Sequence, residues 1–333
     1  MRVYIFGLVF SIAGTIAALA QNGKVHPPPA VDNNTFDEHE VCLMVPGIFT
    51  SYSIDDRLAA CTAVIESGKY RGEDLGPIYL NRAVFHVKKN EDDAALADIE
   101  MSHKVWPDSP RPLIDRAAIY MRRHQMDLAL ADLHQVIQDN PHSYAALTNR
   151  ASVYFFLKKY DLASSDLDRA LDANRTGNTA MLLRGEIAFL KGDKTSALDD
   201  FALSIQFDPD RPDAYNADCY VRALTRQEME KTALPECNKA IEIDPGEPGI
   251  LDTRGFLYLQ LGRYADAVAD YDRALAKDPK LAPTLYGRGL AKQKLGDTAG
   301  ASADIAAAQS LVPNIDKIFD TPAIFSWRHD NTE

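Results

Sequence analysis

The chain has no glycine-rich phosphate loop, no Gly-x-Ser-x-Gly elbow and no His-Glu-x-x-His helix. It therefore carries no signature of nucleotide hydrolysis, acyl-enzyme chemistry or zinc proteolysis. Its eight histidines are scattered. His124 and His134 flank one turn region without a third ligand at metal spacing, so they read as solvated surface groups and no metal is expected. Basic residues are the minority, with 36 Lys and Arg against 48 Asp and Glu, a net charge of −12. Such a surface repels phosphate backbones and anionic lipid heads, which excludes nucleic acid and favours a basic or apolar protein ligand.

What is present begins with an apolar stretch. Arg2 is followed by residues 3–17, VYIFGLVFSIAGTIA, and by Ala18-Leu19-Ala20, which fits a small-x-small cleavage site. Residues 1–20 are expected to be a signal peptide cleaved after Ala20, leaving the protein in a bacterial periplasm. Membrane contact follows only if the segment stays uncleaved. No Cys follows the site, which argues against a lipoprotein. Four cysteines stand at 42, 61, 219 and 237. An even count in an exported chain suggests two disulfides, and spacing alone leaves three pairings open.

Residues 21–50 read as a flexible linker, with a Pro triplet at 27–29 and a more apolar end from Cys42 to Phe49. Residues 51–75 hold one helix over 54–67 and a loop from Gly68. From Gly76 the chain repeats with a period of 34. The units are 76–109, 110–143, 144–177, 178–211, 214–247, 248–281 and 282–315, and 316–333 is left as a C-terminal cap and tail. Position 8 of each unit is small or modest: Ala83, Ala117, Ala151, Gly185, Val221, Gly255, Gly289. Position 20 is always Ala, and position 24 is larger, as in Ile99, Leu133, Phe201 and Tyr271. Small groups let two antiparallel helices approach, and the larger one fills the space between them. Proline ends most second helices, at 107, 141, 209, 245, 279 and 313.

This pattern resembles the tetratricopeptide repeat (TPR) family over residues 76–315. The resemblance implies an all-α chain of seven helical hairpins wound into a right-handed superhelix with a concave groove, 54–67 forming a half-unit in front. Ile318 and Phe319 would help cover the last hairpin. It implies no enzyme and no cofactor. Paired acids such as Asp92-Asp93 and Asp199-Asp200 belong to the repeat surface, because an acid–base pair needs a closed pocket.

Position 7 is Arg in six units (82, 116, 150, 184, 254 and 288), and position 23 is Asp in the same six (98, 132, 166, 200, 270 and 304). In an antiparallel hairpin turning near positions 15 and 16, facing positions sum to about 30 from the helical rise. Seven and 23 satisfy this, so a hydrogen-bonded pair is expected across each hairpin. The unit 214–247 carries Tyr220 and Glu236 instead, with Cys219 and Cys237 at positions 6 and 24. Those also sum to 30, so a Cys219–Cys237 disulfide is expected, which leaves Cys42 to pair with Cys61.

By the resemblance, first-helix positions 2, 5, 9, 12 and 13 line the groove. They place Met121, Arg122, Ser152, Phe155, Phe156, Glu186, Phe189, Tyr215, Arg222 and Arg226 in a partner-binding patch of aromatics flanked by arginines. A clamp for a chaperone's C-terminal carboxylate is unsupported, since Leu80 and Thr148 stand where Lys is needed beside Asn81 and Asn149. The sequons at Asn33 and Asn174 matter only in a eukaryotic source, and the compact signal and repeat style look bacterial. The expected function is a non-catalytic exported adaptor or scaffold for assembling cell-envelope machinery, holding a protein or peptide in the groove. The alternative is a regulatory or scaffold subunit of an envelope enzyme complex.

Overall fold

The computed structural model describes residues 37–43 and 52–321. The expected signal segment and most of the expected linker lie outside the described residues, as do 322–333. The described chain is all-α, with seventeen helices and no strand. It forms two compact units, one ending at Tyr154 and one beginning at Phe155.

The first unit opens with a short helix, α1 (Glu38–Leu43), inside the stretch expected as linker. Its Val41 and Cys42 are buried against α2 (Ile54–Glu66), in a cluster with Cys61, Val64, Ile78 and Phe85. That apolar contact holds six residues too short to be helical on their own. Ser53 starts α2 through a capping box with Asp56. Then come α3 (Leu75–Lys88) with α4 (Asp92–Val105), α5 (Arg111–Arg122) with α6 (Met126–Asp139), and α7 (Tyr144–Phe156), which crosses into the second unit. The second unit continues with α8 (Tyr160–Ala173), α9 (Asn178–Leu190) with α10 (Lys194–Phe207), and α11 (Pro212–Thr225) with α12 (Leu234–Ile243). It ends with α13 (Pro248–Gln260), α14 (Tyr264–Lys277), α15 (Ala282–Lys294), α16 (Thr298–Leu311) and the cap α17 (Ile315–Ile318).

The register is strict. Six of the seven first helices end at position 13, and every full-length second helix runs from position 17 to position 30. The cause is visible in α6. Ala129, Leu133, Val136 and Ile137 are buried and recur at helical spacing, so one stripe faces inward. Position 27 belongs to the same stripe. It is Ser102, Val136, Ala170, Ser204, Ala240, Ala274 or Ala308, and none is more than 1% exposed. Six of the seven second helices stop two residues before proline, which disfavours helix in the residue before it.

Two local rules set how the hairpins close. Position 15 is left-handed in every unit, at Asn90, His124, Lys158, Gly192, Glu228, Gly262 and Gly296. That conformation ends the first helix and reverses the chain. In the two hairpins with an aromatic at position 24 and Gly at position 8, the glycine makes room for the ring. A Cβ on Gly185 would lie 2.6 Å from the Phe201 ring, and one on Gly255 would lie 2.7 Å from Tyr271. Where position 24 is Ile99 or Leu133, position 8 accepts Ala83 or Ala117. The C-terminal Phe319 is buried, with ring contacts to Phe256 at 5.5 Å and Tyr286 at 5.1 Å.

Candidate functional site

Five hairpins carry the same two-pronged contact. Arg82, Arg116, Arg184, Arg254 and Arg288 donate from Nε and Nη2 to both carboxylate oxygens of Asp98, Asp132, Asp200, Asp270 and Asp304, at 2.6–2.9 Å. The planar guanidinium matches the carboxylate, so the pair fixes both spacing and register of its two helices. The carboxylate bond leads the rise in pKa of Arg82, Arg116, Arg184 and Arg288. The sixth pair, Arg150 and Asp166, falls in different compact units. Position 7 arginines therefore serve the fold and are not a free cationic stripe.

The third prong of the guanidinium was missed by the sequence reading. Nη1 of Arg184 donates to Asp168 at 2.9 Å, that of Arg288 to Asp272 at 2.7 Å and that of Arg254 to Asn238 at 2.8 Å. Asp168, Asn238 and Asp272 all stand at position 25 of the preceding repeat. Each of these arginines thus ties three helices together, two of its own hairpin and one of the hairpin before. A polar residue recurring at position 25 was the available signal.

The hairpin of α11 and α12 lacks this pair. Cys219 and Cys237 lie at bonding distance there, with Cα atoms 5.5 Å apart, and both side chains are fully buried. Cys42 and Cys61 lie likewise, with Cα atoms 4.8 Å apart. Both spacings suit a disulfide. The turn of this hairpin also differs. Arg226 and Glu228 both have positive φ, and a π-helical turn, Met229–Ala233, replaces the start of the second helix.

The ten expected partner-binding residues divide between the two units. Met121, Arg122 and Ser152 belong to the first. There Met121 is buried, Arg122 pairs with Asp92, and the Ser152 hydroxyl donates to the Thr148 carbonyl of its own helix at 3.0 Å. The other seven belong to the second. Phe155 is buried, with ring centroids 6.4 Å from Phe156 and 5.8 Å from Tyr160. Phe189, Tyr215 and Glu186 are buried too. Tyr215 donates its hydroxyl to the Pro209 carbonyl at 3.1 Å, and Arg222 donates to Asp218 at 2.6 Å. The reachable side chains are Arg122, Phe156 and Arg222, each half-buried, and Arg226, which is exposed.

Burial disfavours the charged form of the acidic groups near these positions. Burial pushes the Glu186 carboxyl up to about 8, Asp213 adds to the rise, and Arg211 opposes it. Burial also raises Asp213 and Asp218, against Arg211 and Arg222. Among the described residues no group of His, Cys, Asp and Glu has a metal-holding arrangement.

Comparison with known proteins agrees with the register. Residues 255–296 match the family model described as TPR repeat, and residues 114–176 and 148–212 match the one described as Tetratricopeptide repeat. The fold is similar to that of a tetratricopeptide repeat protein from Parabacteroides merdae, with 19% identity over 74% of this chain and 98% of that one, at a TM-score of 0.56. It is similar to the APC/C hetero-tetramer Cut9-Hcn1, with 15% identity over 83% of this chain and 52% of that one, at a TM-score of 0.65. It is also similar to PilW, a type IV pilus biogenesis factor, with 18% identity over 61% of this chain and 94% of that one, at a TM-score of 0.55. The 34-residue register, the paired helices and the matched models together show a tetratricopeptide repeat fold, with the family's models matched over residues 114–212 and 255–296.

Proposed function

We propose that the protein is an exported, non-catalytic adaptor that holds a protein or peptide partner on the first-helix face of its repeats. The observation that carries the reading is the pairing of a tetratricopeptide array with two cysteine pairs at bonding distance. The array supports binding, because stacked helical repeats offer extended recognition surfaces. The cysteine pairs support export, because such bonds persist in oxidising compartments. The N-terminal apolar segment with its Ala18-Leu19-Ala20 site supports the periplasm. The likeness to a pilus biogenesis factor agrees with work on envelope machinery.

The contact surface is drawn from the reachable members of the face in the second unit: Phe156, Arg222 and Arg226. Arg and aromatic side chains contribute most to interface energies. Buried Phe155, Phe189 and Tyr215 support that surface from beneath. A partner with apolar anchors and a carboxylate suits the arginines.

Two measurements test the reading. Cells quenched with a thiol-alkylating reagent should yield the chain with no cysteine alkylated, and a periplasmic extract should contain it without its first twenty residues. Four alkylated cysteines, or retention in the cytoplasm, would reject export. Phe155→Ala with Phe156→Ala should weaken partner capture while helicity persists, and an unchanged set of captured partners would reject the site.

A further inference from the structure

We infer that the fifth hairpin, α11 with α12, is a redox-released element whose order depends on the Cys219–Cys237 bond. The inference stands apart from the binding face and concerns what holds this hairpin shut. The other hairpins of the second unit with both helices in it are closed by Arg184–Asp200, Arg254–Asp270 and Arg288–Asp304. The fifth has Tyr220 and Glu236 at those positions, so no guanidinium spans its two helices. Its covalent clamp is the buried cysteine pair.

Three further features mark this hairpin as poorly held without the bond. Two consecutive turns of backbone are irregular, with left-handed Arg226 and Glu228 leading into the π-helical Met229–Ala233. Asn216 on α11 is fully buried, and neither end of its amide has a hydrogen-bond partner among the described residues. Such a group favours any opened state that lets water reach it. Burial raises the carboxyls of both Asp218 and Glu236; Arg222 opposes both, while Glu228 adds to the rise at Asp218 and Asp218 to that at Glu236. A bond closing a loop of this length stabilises mainly by restricting the opened chain. Removing it leaves the hairpin without a cross-link between its two helices at the place where the neighbouring hairpins carry their Arg–Asp pairs.

The chemistry needs a dithiol reductant. One thiolate of the dithiol attacks a cystine sulfur, the S–S bond breaks, and a mixed disulfide forms. The second thiol then displaces the remaining cysteine, so two electrons and two protons pass to Cys219 and Cys237 while the dithiol closes to its own disulfide. Both sulfurs are fully buried, so the attack requires the hairpin to open first.

Hydrogen exchange read by mass spectrometry on the full chain, with and without dithiothreitol, tests this. Peptides from residues 212–243 should exchange roughly 100-fold faster after reduction, while those from 248–311 change by less than about threefold. A Cys219→Ala, Cys237→Ala variant should show the same local pattern without reductant. No change at 212–243 would overturn the inference. A uniform rise along the second unit would overturn it as well, by showing the bond to be a staple of the whole unit.

Discussion

Nε and Nη2 of Arg254 donate to the two carboxylate oxygens of Asp270 at 2.7 and 2.8 Å, while its Nη1 donates to Asn238 of the preceding repeat at 2.8 Å. One side chain thus fixes the spacing inside a hairpin and the stacking of the next. Asp270 is almost fully buried and Arg254 mostly so. Arg254→Ala would leave the buried Asp270 with only the half-exposed Arg273, whose Nη1 donates to it at 3.2 Å, and should lower stability by about 3 kcal/mol. Replacing both partners with apolar groups, Arg254→Met with Asp270→Leu, should recover most of that loss. Urea unfolding of the two variants measures both effects. Equal losses in the single and double variants would show that the pair adds nothing beyond its separate residues.

The room that Gly255 leaves for the Tyr271 ring makes a second prediction. Alanine is the better helix former by about 1 kcal/mol. At Gly255, which is buried, its Cβ would meet the Tyr271 ring at 2.7 Å. Overpacking of this kind costs about 1–3 kcal/mol and should win, giving a net loss near 1 kcal/mol for Gly255→Ala. Adding Tyr271→Leu should relieve the clash, since Leu133 sits opposite Ala117 in the second repeat. Thermal unfolding of the two variants decides it.

The left-handed turn position gives a change in the opposite direction. His124 holds φ 56° where three of the repeats use glycine. A non-glycine residue there costs about 1–2 kcal/mol, and glycine adds entropy to the unfolded chain. His124→Gly should therefore stabilise by roughly 0.5–1 kcal/mol, and Gly262→Ala should destabilise by about as much. Melting temperatures that fall in the first variant or rise in the second would contradict this account of the turn.

Glu186 sets a pH dependence. Its folded pKa is pushed up to about 8, from the ordinary 4.5. Between those values the folded chain keeps a proton that the unfolded chain has released. Its contribution to stability is whole below about pH 4.5 and is lost as pH rises towards 8. Asp115 behaves alike over a lower window, with burial pushing it up to about 6 against the pull of Arg111. Glu186→Gln removes the titration while keeping the shape. Its melting temperature relative to the parent should climb between pH 5 and pH 8, and a difference that stays flat would contradict the assignment.

The repeat was readable because packing demands recur every 34 residues. Ala at position 20 admits the neighbouring helix, and Arg at 7 with Asp at 23 brings its own partner. The facing-position rule, drawn from helical rise, also relates Cys219 to Cys237. The left-handed turn residues were hidden, because Asn90, His124, Lys158 and Glu228 tolerate that backbone only when packing on both sides imposes it. Helix α1 was hidden for a similar reason, since its six residues are held by contacts that Val41 and Cys42 make to α2. Exposure within the binding face was illegible too. Phe155 and Phe156 are neighbours in sequence, yet the first is buried with Tyr160 packed on it and the second is half-buried.

The central claim is that the first-helix face holds a protein partner. Site-specific photo-crosslinking in the intact cell envelope tests it most directly. A photoreactive residue placed at Phe156 or Arg226 samples that face, and one at Leu162 or Leu203 samples exposed positions on second helices. The account predicts one discrete protein adduct from Phe156 and Arg226 and none from Leu162 and Leu203. The same adducts from all four positions, or none from Phe156 and Arg226, would contradict it.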